Sequence, residues 1–474
     1  MSFSRRSFLR AAGALGLGAL SGPFVPRPAW AASPFKAKRV VIVGVAGGLR
    51  LSESLGMADG ATMPNLLGNV PLIPGFGAGP AGALNIAPEY LLPQLVTPSP
   101  LSKPLHTEGA LVTNLRYAEG TAGHVQGSAT LVSGAYNDID NRPDARAPSP
   151  TLFELYRRAT NAPATDAWCL SVLGGFFRAL QASDHPDYGS RFGATWMSPP
   201  AVMSQVLPLA LSGRRSLQLG GKTPIPTIVD PAAERAAARE LTAVLDGNTP
   251  VSEHLASGAT PEESAAVLEH LAAIFGDPTF ESYFPQDFGI GVLQNGQLEG
   301  TGDAVTTHHA ELILKRFMPH VMKIALFDVD VGHSDYNGYL AAQVLADACV
   351  RHLWETIQST EGLRDETALL VVPEHGRQLF FNGNNPDSLG RSGTDHGGGD
   401  DGDRDVWMLA LGPDFKPGVY SPTAVQQEGR ASGRYETIDV VATAASLLGV
   451  GGDLTSTLKS GGRRPGLLIE DILL

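Results

Sequence analysis

Several stretches of this chain are apolar at successive positions rather than at every second one: VVIVGV at 40–45, ALLVV at 368–372 and VWMLALG at 406–412, with VMKIALFDV at 321–329 broken only by Lys323 and Asp328. A strand with one wet face alternates; a strand that does not alternate is buried on both faces, as in the interior of a parallel sheet covered by helices. Helical spacing fills the intervals, at 124–134, 149–159, 339–359 and 436–450. Ser149 is the expected cap of the second of these, with Pro150 in its first turn. Strands alternating with helices predict a doubly wound, mostly parallel α/β sheet flanked by helices. At 474 residues, 43% hydrophobic and 18% charged, the chain has ordinary globular composition and room for insertions.

Four segments follow. Residues 1–31 open with SRRSFL, continue through a Gly/Ala/Leu-rich stretch and end in AWAA, with Ala29 and Ala31 at cleavage-site positions. This reads as a twin-arginine signal peptide removed after Ala31; the apolar stretch is too short for a permanent anchor. Residues 32–175 and 311–474 are the two parts of the α/β core. Between them, 176–310 is expected to be a helix-rich insertion or cap, with DPAAERAAARELTAVLDG and TPEESAAVLEHLAAIFGD as its helices. The expected location is periplasmic or secreted, with the twin-arginine machinery as partner and no membrane-integral segment after cleavage.

Loss of Arg5, Arg6, Arg10 and Arg27, with no acid, takes the net charge from −13 to −17. Such a chain is a poor partner for nucleic acid or an anionic membrane. The two cysteines, Cys169 and Cys349, allow either one bridge or two buried thiols.

The chemistry-bearing residues follow predicted strands. Ala46-Gly47-Gly48-Leu49-Arg50 ends the first. Asn114 ends the second, which leads through Glu119, Thr121 and His124. DVDVGHSDY brings Asp328, Asp330, His333 and Asp335; PEHGR brings Glu374, His375 and Arg377; GTDHGG adds Thr394, Asp395 and His396. Parallel strands deliver such ends to one rim, where ligands bind in sheets of this kind. Imidazoles and carboxylates gathered there are ligands for zinc, manganese or iron. Asp400, Asp401, Asp403 and Asp405 read as a solvated border.

VVIVGVAGGLR, SATLVSGAY, FDVDVGHSDY, LLVVPEHGR, GTDHGG, LALGPDFKPG and ETIDVVATAASLLGV, in that order, resemble the landmarks of the alkaline phosphatase and sulfatase superfamily. Within it they resemble the branch of twin-arginine-exported proteins known as DUF1501. The resemblance implies hydrolysis of a small phosphate or sulfate ester. It implies metal ligands at Asp330 or Asp328, His333 and His396, with Glu374 and His375 standing where the superfamily has an Asp-His pair. Two positions depart from its pattern. Ala46 replaces a metal-binding Asp, and His124 falls where the nucleophile is expected, with Thr121 three residues earlier. One divalent ion, zinc or manganese, is therefore expected rather than two. Thr121 or His124 would face the reacting atom, Glu374 would act as ligand or general base, and Arg377 would pair with the substrate oxyanion. The same departures leave open a non-catalytic exported binding or assembly protein with a degenerate metal site.

Overall fold

A computed structural model describes residues 33–56, 62–68, 103–136, 139, 145–172, 178–198, 259–276 and 301–474. The signal segment and the helix expected at 230–247 lie outside them.

Eight strands form one sheet: β1 (Arg39–Val45), β2 (Ala110–Arg116), β3 (Ala167–Ser171), β4 (Thr195–Met197), β5 (Val321–Leu326), β6 (Thr367–Pro373), β7 (Asp405–Leu411) and β8 (Gly418–Tyr420). Their spatial order is β4-β3-β5-β1-β6-β7-β2-β8. All neighbours pair in parallel except β7, which is antiparallel to both β6 and β2. The exception has a local cause. The connection from β6 to β7 stays at the carboxyl edge of β6 and makes no helical crossover, so the chain re-enters the sheet reversed. The whole β6–β7 loop therefore sits on the rim where β1, β2 and β5 end.

Six helices concern the site and its support: α1 (His124–Ser133), α2 (Leu152–Thr160), α3 (Pro261–Gly276), α4 (Thr301–Phe317), α5 (Tyr336–Ser359) and α6 (Thr437–Leu447). The central strand shows why the apolar runs do not alternate. Val40 and Ile42 pack with α1, α2 and α6, whereas Val41, Val43 and Val45 pack with α4 and α5. Both faces are dry, which makes a three-layer sandwich. Cys169 lies in the first of these cores and Cys349 in the second, both as free buried thiols, so the sheet keeps them apart.

α2 begins later than its sequence suggests. Thr151, not Ser149, is the cap: its hydroxyl accepts the Glu154 N–H at 3.3 Å, and the Glu154 carboxylate accepts the Thr151 N–H at 2.7 Å. The reciprocal pair satisfies two otherwise orphaned donors. α3 is capped the same way by Thr260 and Glu263. Within 176–310 the described residues also include β4, a strand of the main sheet.

Candidate metal centre

The register of the central strands sets the site. Val45 stands beside Leu326 on one side and Pro373 on the other, so Ala46, Phe327 and Glu374 leave the sheet together. Gly47 and Gly48 then turn with φ of +102° and +80°. A Cβ on Gly47 would lie 2.8 Å from the Asp330 backbone nitrogen, and one on Gly48 would collide with Gly376 O and the His375 ring. Two glycines are needed both for the turn and for the close approach of the neighbouring rim segments.

After β5, residues Asp328–His333 form a 3-10 turn. In such a turn positions i and i+3 eclipse. Asp330 and His333 therefore share one side, with Oδ1 and Nε2 3.3 Å apart. Asp328 turns elsewhere: its carboxylate accepts the Asp303 N–H at the start of α4, and its own N–H faces the Asp303 carboxylate. Burial pushes the Asp328 carboxyl up to about 6 and that of Asp303 well above its usual range. Asp328 thus joins β5 to α4 and is not among the metal-ligand candidates that the fold brings together.

Four side chains converge: His124 at the start of α1, Asp330, His333 and His396. His396 Nε2 lies 3.0 Å from His333 Nε2, 3.1 Å from His124 Nε2 and 3.6 Å from Asp330 Oδ1. His124 Nε2 lies 3.4 Å from Asp330 Oδ1. Four donors each ~2.0–2.1 Å from a tetrahedral zinc ion are about 3.3–3.4 Å apart along the edges of the tetrahedron, which these spacings bracket.

The outer nitrogens are all engaged. His124 Nδ1 meets Glu374 at 2.9 Å, His333 Nδ1 meets Asp395 at 2.8 Å, and His396 Nδ1 meets the Ala122 carbonyl at 3.1 Å. A carbonyl only accepts and an ionised carboxylate only accepts, so each Nδ1 carries its hydrogen and each Nε2 turns a lone pair inward. Three imidazole lone pairs and a carboxylate oxygen facing one another repel unless protons or a cation lie between them. This is the arrangement of metal-ligating histidines, whose outer N–H is held by a carboxylate or carbonyl. The residues fit a divalent ion.

Electrostatics agree. Burial alone would raise Asp330, yet contacts with His124, His333 and His396 hold its carboxyl far below the usual range. Burial and the neighbouring His375, His124 and Arg377 push His396 down to about 4, so its lone pair is free at neutral pH. Burial opposes charge on His124, but Asp330 and Glu374 together lift it to about 9. Without a metal, the cluster gathers a proton at that position.

Glu374 and His375 are completely buried. Glu374 Oε1 accepts from Gly47 N–H at 3.0 Å as well as from His124, and Oε2 accepts the Ser128 hydroxyl at 2.5 Å. Despite burial, His124 and His375 keep this carboxyl well below its usual range. His375 Nδ1 lies 2.7 Å from Gly376 O, and its Nε2 lies 3.3 Å from Glu374 Oε1. His124, Glu374 and His375 form a second group of donors sharing His124 with the first. The His375 and His396 rings lie 4.4 Å apart.

Arg377 does not reach solvent. Its guanidinium donates to Asp330 Oδ1 at 2.8 Å, to Val329 O at 3.3 Å and to Thr394 O. It orients Asp330 and is not exposed to a substrate oxyanion. Arg50 is likewise consumed, by Glu53 and the Gln378 and Leu379 carbonyls. Thr121 is exposed on the loop before α1; its carbonyl accepts the Gly123 N–H at 2.9 Å. Ala46 is buried apolar core, with no ligand atom. Of the acidic border, Asp400 caps the turn 401–404, Asp401 and Asp405 pair with Arg116, and Asp403 accepts the Gly399 N–H.

Sequence reasoning passed over Ser128, although it lies one helical turn beyond His124 and so on the same face. It also gave no positioning role to Asp395 or to Asn382, whose amide donates to both Asp395 Oδ1 and His333 O.

No protein-family model and no curated protein matches the sequence. Solved structures do. The chain is similar to a protein of the alkaline phosphatase superfamily from Vibrio parahaemolyticus, at 10% identity and TM-score 0.38, over 88% of this chain and 67% of that one. It is similar to wild-type alkaline phosphatase PafA, at 10% identity and TM-score 0.44, over 92% and 99%. It is also similar to the PsFucS1 sulfatase from Pseudoalteromonas sp., at 13% identity and TM-score 0.40, over 88% and 68%.

Proposed function

We propose that this chain is an exported, metal-dependent hydrolase of an anionic ester, a phosphate or a sulfate. The observation that carries the reading is the inward convergence of three imidazole Nε2 atoms and Asp330 Oδ1, each outer imidazole nitrogen being separately anchored. His124, Asp330, His333 and His396 would hold one divalent ion, and three nitrogens with one oxygen at tetrahedral spacing favour zinc over manganese. Such an ion, when bound, polarises an ester oxygen and lowers the pKa of a coordinated water.

The chain's own residues have separable roles in this reading. Arg377 fixes the Asp330 carboxylate from behind. Glu374, held by Gly47 N–H and Ser128, keeps the proton of His124 on Nδ1. His375, buried beside the ligand set, is held at Nδ1 by Gly376 O and keeps its Nε2 3.3 Å from Glu374 Oε1. His124 serves as ligand rather than nucleophile, because both its nitrogens are committed. Export by the twin-arginine route rests on the SRRSFL start alone and is tested by periplasmic accumulation that an Arg5→Lys, Arg6→Lys double variant abolishes.

The experiment for the centre is elemental analysis of the purified mature chain, followed by turnover of aryl phosphate and aryl sulfate with zinc or manganese added. One ion per chain and turnover that His396→Ala removes together support the reading. Absence of both refutes it. A stoichiometric ion without turnover favours the second reading, a binding or assembly protein, whose support is the complete burial of Arg377, which keeps its guanidinium from a substrate.

A further inference from the structure

The loop that delivers Asp395 and His396 also carries an apolar protrusion that the ligand set does not use. Six large hydrophobic side chains among the described residues are exposed, and four of them, Leu379, Phe380, Phe381 and Leu389, lie on this one loop. Phe380 is 78% exposed and Leu379 53%. Scattered apolar side chains are ordinary on a surface; consecutive ones are not.

The backbone shows how the protrusion is made. Gln378 N–H donates to Asp395 O and Asn382 N–H to Gly393 O, each at 2.8 Å. Between these rungs Leu379, Phe380 and Phe381 stand opposite Thr394 alone, so the surplus chain bows outward as a bulge. Thr394 cannot yield, because its N–H donates to Gly332 O at 2.7 Å and its carbonyl accepts from Arg377. The base of the bulge is fixed as well: the Arg50 guanidinium donates to Gln378 O and Leu379 O, both at 2.9 Å, and the Phe381 ring packs edge-on against Tyr336 at 5.3 Å. Buried polar groups thus hold two apolar side chains out in water.

The protrusion borders the opening of the centre. His333 is 38% exposed and its partner Asp395 43%, the most open residues of the cluster. Asn382, next after Phe381, is bonded to both of them. Phe380 stands opposite Thr394, and His396 is two residues further on. Phe380 is two residues from Gln378, bonded to Asp395 O, and two from Asn382, bonded to His333 O and Asp395 Oδ1; two residues of chain span at most ~7 Å, within reach of a group esterified to an anion bound there.

We infer that Leu379 and Phe380 are the apolar subsite of this centre, and that its anionic ester carries an aryl or long alkyl group. This rests on the ester reading above. The test uses the zinc-loaded full chain and two inert pairs, phenyl- and methylphosphonate and phenyl- and methylsulfonate, titrated calorimetrically against wild type and Phe380→Ala. One phenyl anion is expected to bind wild type about tenfold more tightly than its methyl counterpart, and the ratio to fall to about twofold in Phe380→Ala. Methyl binding and zinc content stay unchanged in the variant, since the side chain it removes is exposed. Equal phenyl and methyl affinities in wild type, or an unchanged ratio in the variant, overturn the subsite and leave the ester reading intact. Failure of all four anions to bind zinc-loaded protein removes the ester reading, and the subsite with it. Self-association of wild type that Phe380→Ala abolishes in sedimentation assigns the bulge to a contact between copies and likewise overturns the inference.

Discussion

Asp395 gives the sharpest test of the centre, because it touches a ligand without being one. Its Oδ1 lies 2.8 Å from His333 Nδ1 and 3.0 Å from the Asn382 amide. The carboxylate therefore fixes the tautomer of His333, aims the ring and makes the inner nitrogen more basic. Losing such a partner weakens metal binding about 10–100-fold, or about 1.4–2.7 kcal/mol. Asp395→Ala should show this loss in a zinc competition against a chromophoric chelator at neutral pH. Asp395→Asn, which keeps an acceptor but drops the charge, should fall between it and wild type. Asp401→Asn is the control: that acid lies on the same loop, pairs with Arg116 and is far more exposed. An Asp395→Ala affinity within twofold of wild type, or an equal loss in Asp401→Asn, refutes the assignment of His333 as an inward-facing ligand.

Two further predictions concern stability. Arg377→Met leaves the Asp330 carboxylate without its guanidinium and should cost about 3–5 kcal/mol, seen as a lowered urea midpoint in metal-free protein. Asp347, buried on α5, accepts the Asn65 N–H, the Asn65 amide and the Leu66 N–H, and burial pushes its carboxyl up to about 7. From about pH 4 to 7 the folded chain keeps this proton and the unfolded chain has lost it, so the group makes stability fall as pH rises through that window. Asp347→Asn should flatten the midpoint-against-pH curve over that range; an unchanged curve would count against a protonated Asp347.

The parts of this molecule legible in the sequence are those dictated by burial. A strand such as VVIVGV must be dry on both faces, and its ends follow within a residue or two. Strand direction is not written that way. Nothing in VWMLAL marks β7 as reversed, because the reversal comes from the path of the preceding loop. The choice between Asp328 and Asp330 was equally hidden. Both follow the same strand, and only the 3-10 turn, which eclipses positions 330 and 333, decides that one faces the histidines and the other caps α4. Arg377 is the reverse case. Its position after a strand invited a substrate role, but both terminal nitrogens of the guanidinium are taken by carbonyls and a carboxylate that lie far apart in sequence.

Charge completes the argument for a cation. Asp330, Glu374 and Asp395 bring three negative charges to the cluster and Arg377 one positive charge, leaving a formal −2. A partly buried excess of that kind is costly, and two species compete to relieve it at one atom. In metal-free protein His124 carries a second proton, since Asp330 and Glu374 lift it to about 9 against the opposing effect of burial; a metal ion needs the same Nε2 lone pair. Binding must therefore expel that proton. Zinc affinity should rise about tenfold per pH unit from about pH 7 to 9 and level off above it. His333, raised by Asp330 and then by Asp395, adds to the dependence wherever it too holds a second proton. Calorimetric titrations in buffers of different ionisation enthalpy should show about one proton released per ion at neutral pH. An affinity flat between pH 7 and 9, with no proton released, would mean that His124 is not a ligand, and without it the ligand set loses the residue that joins it to Glu374.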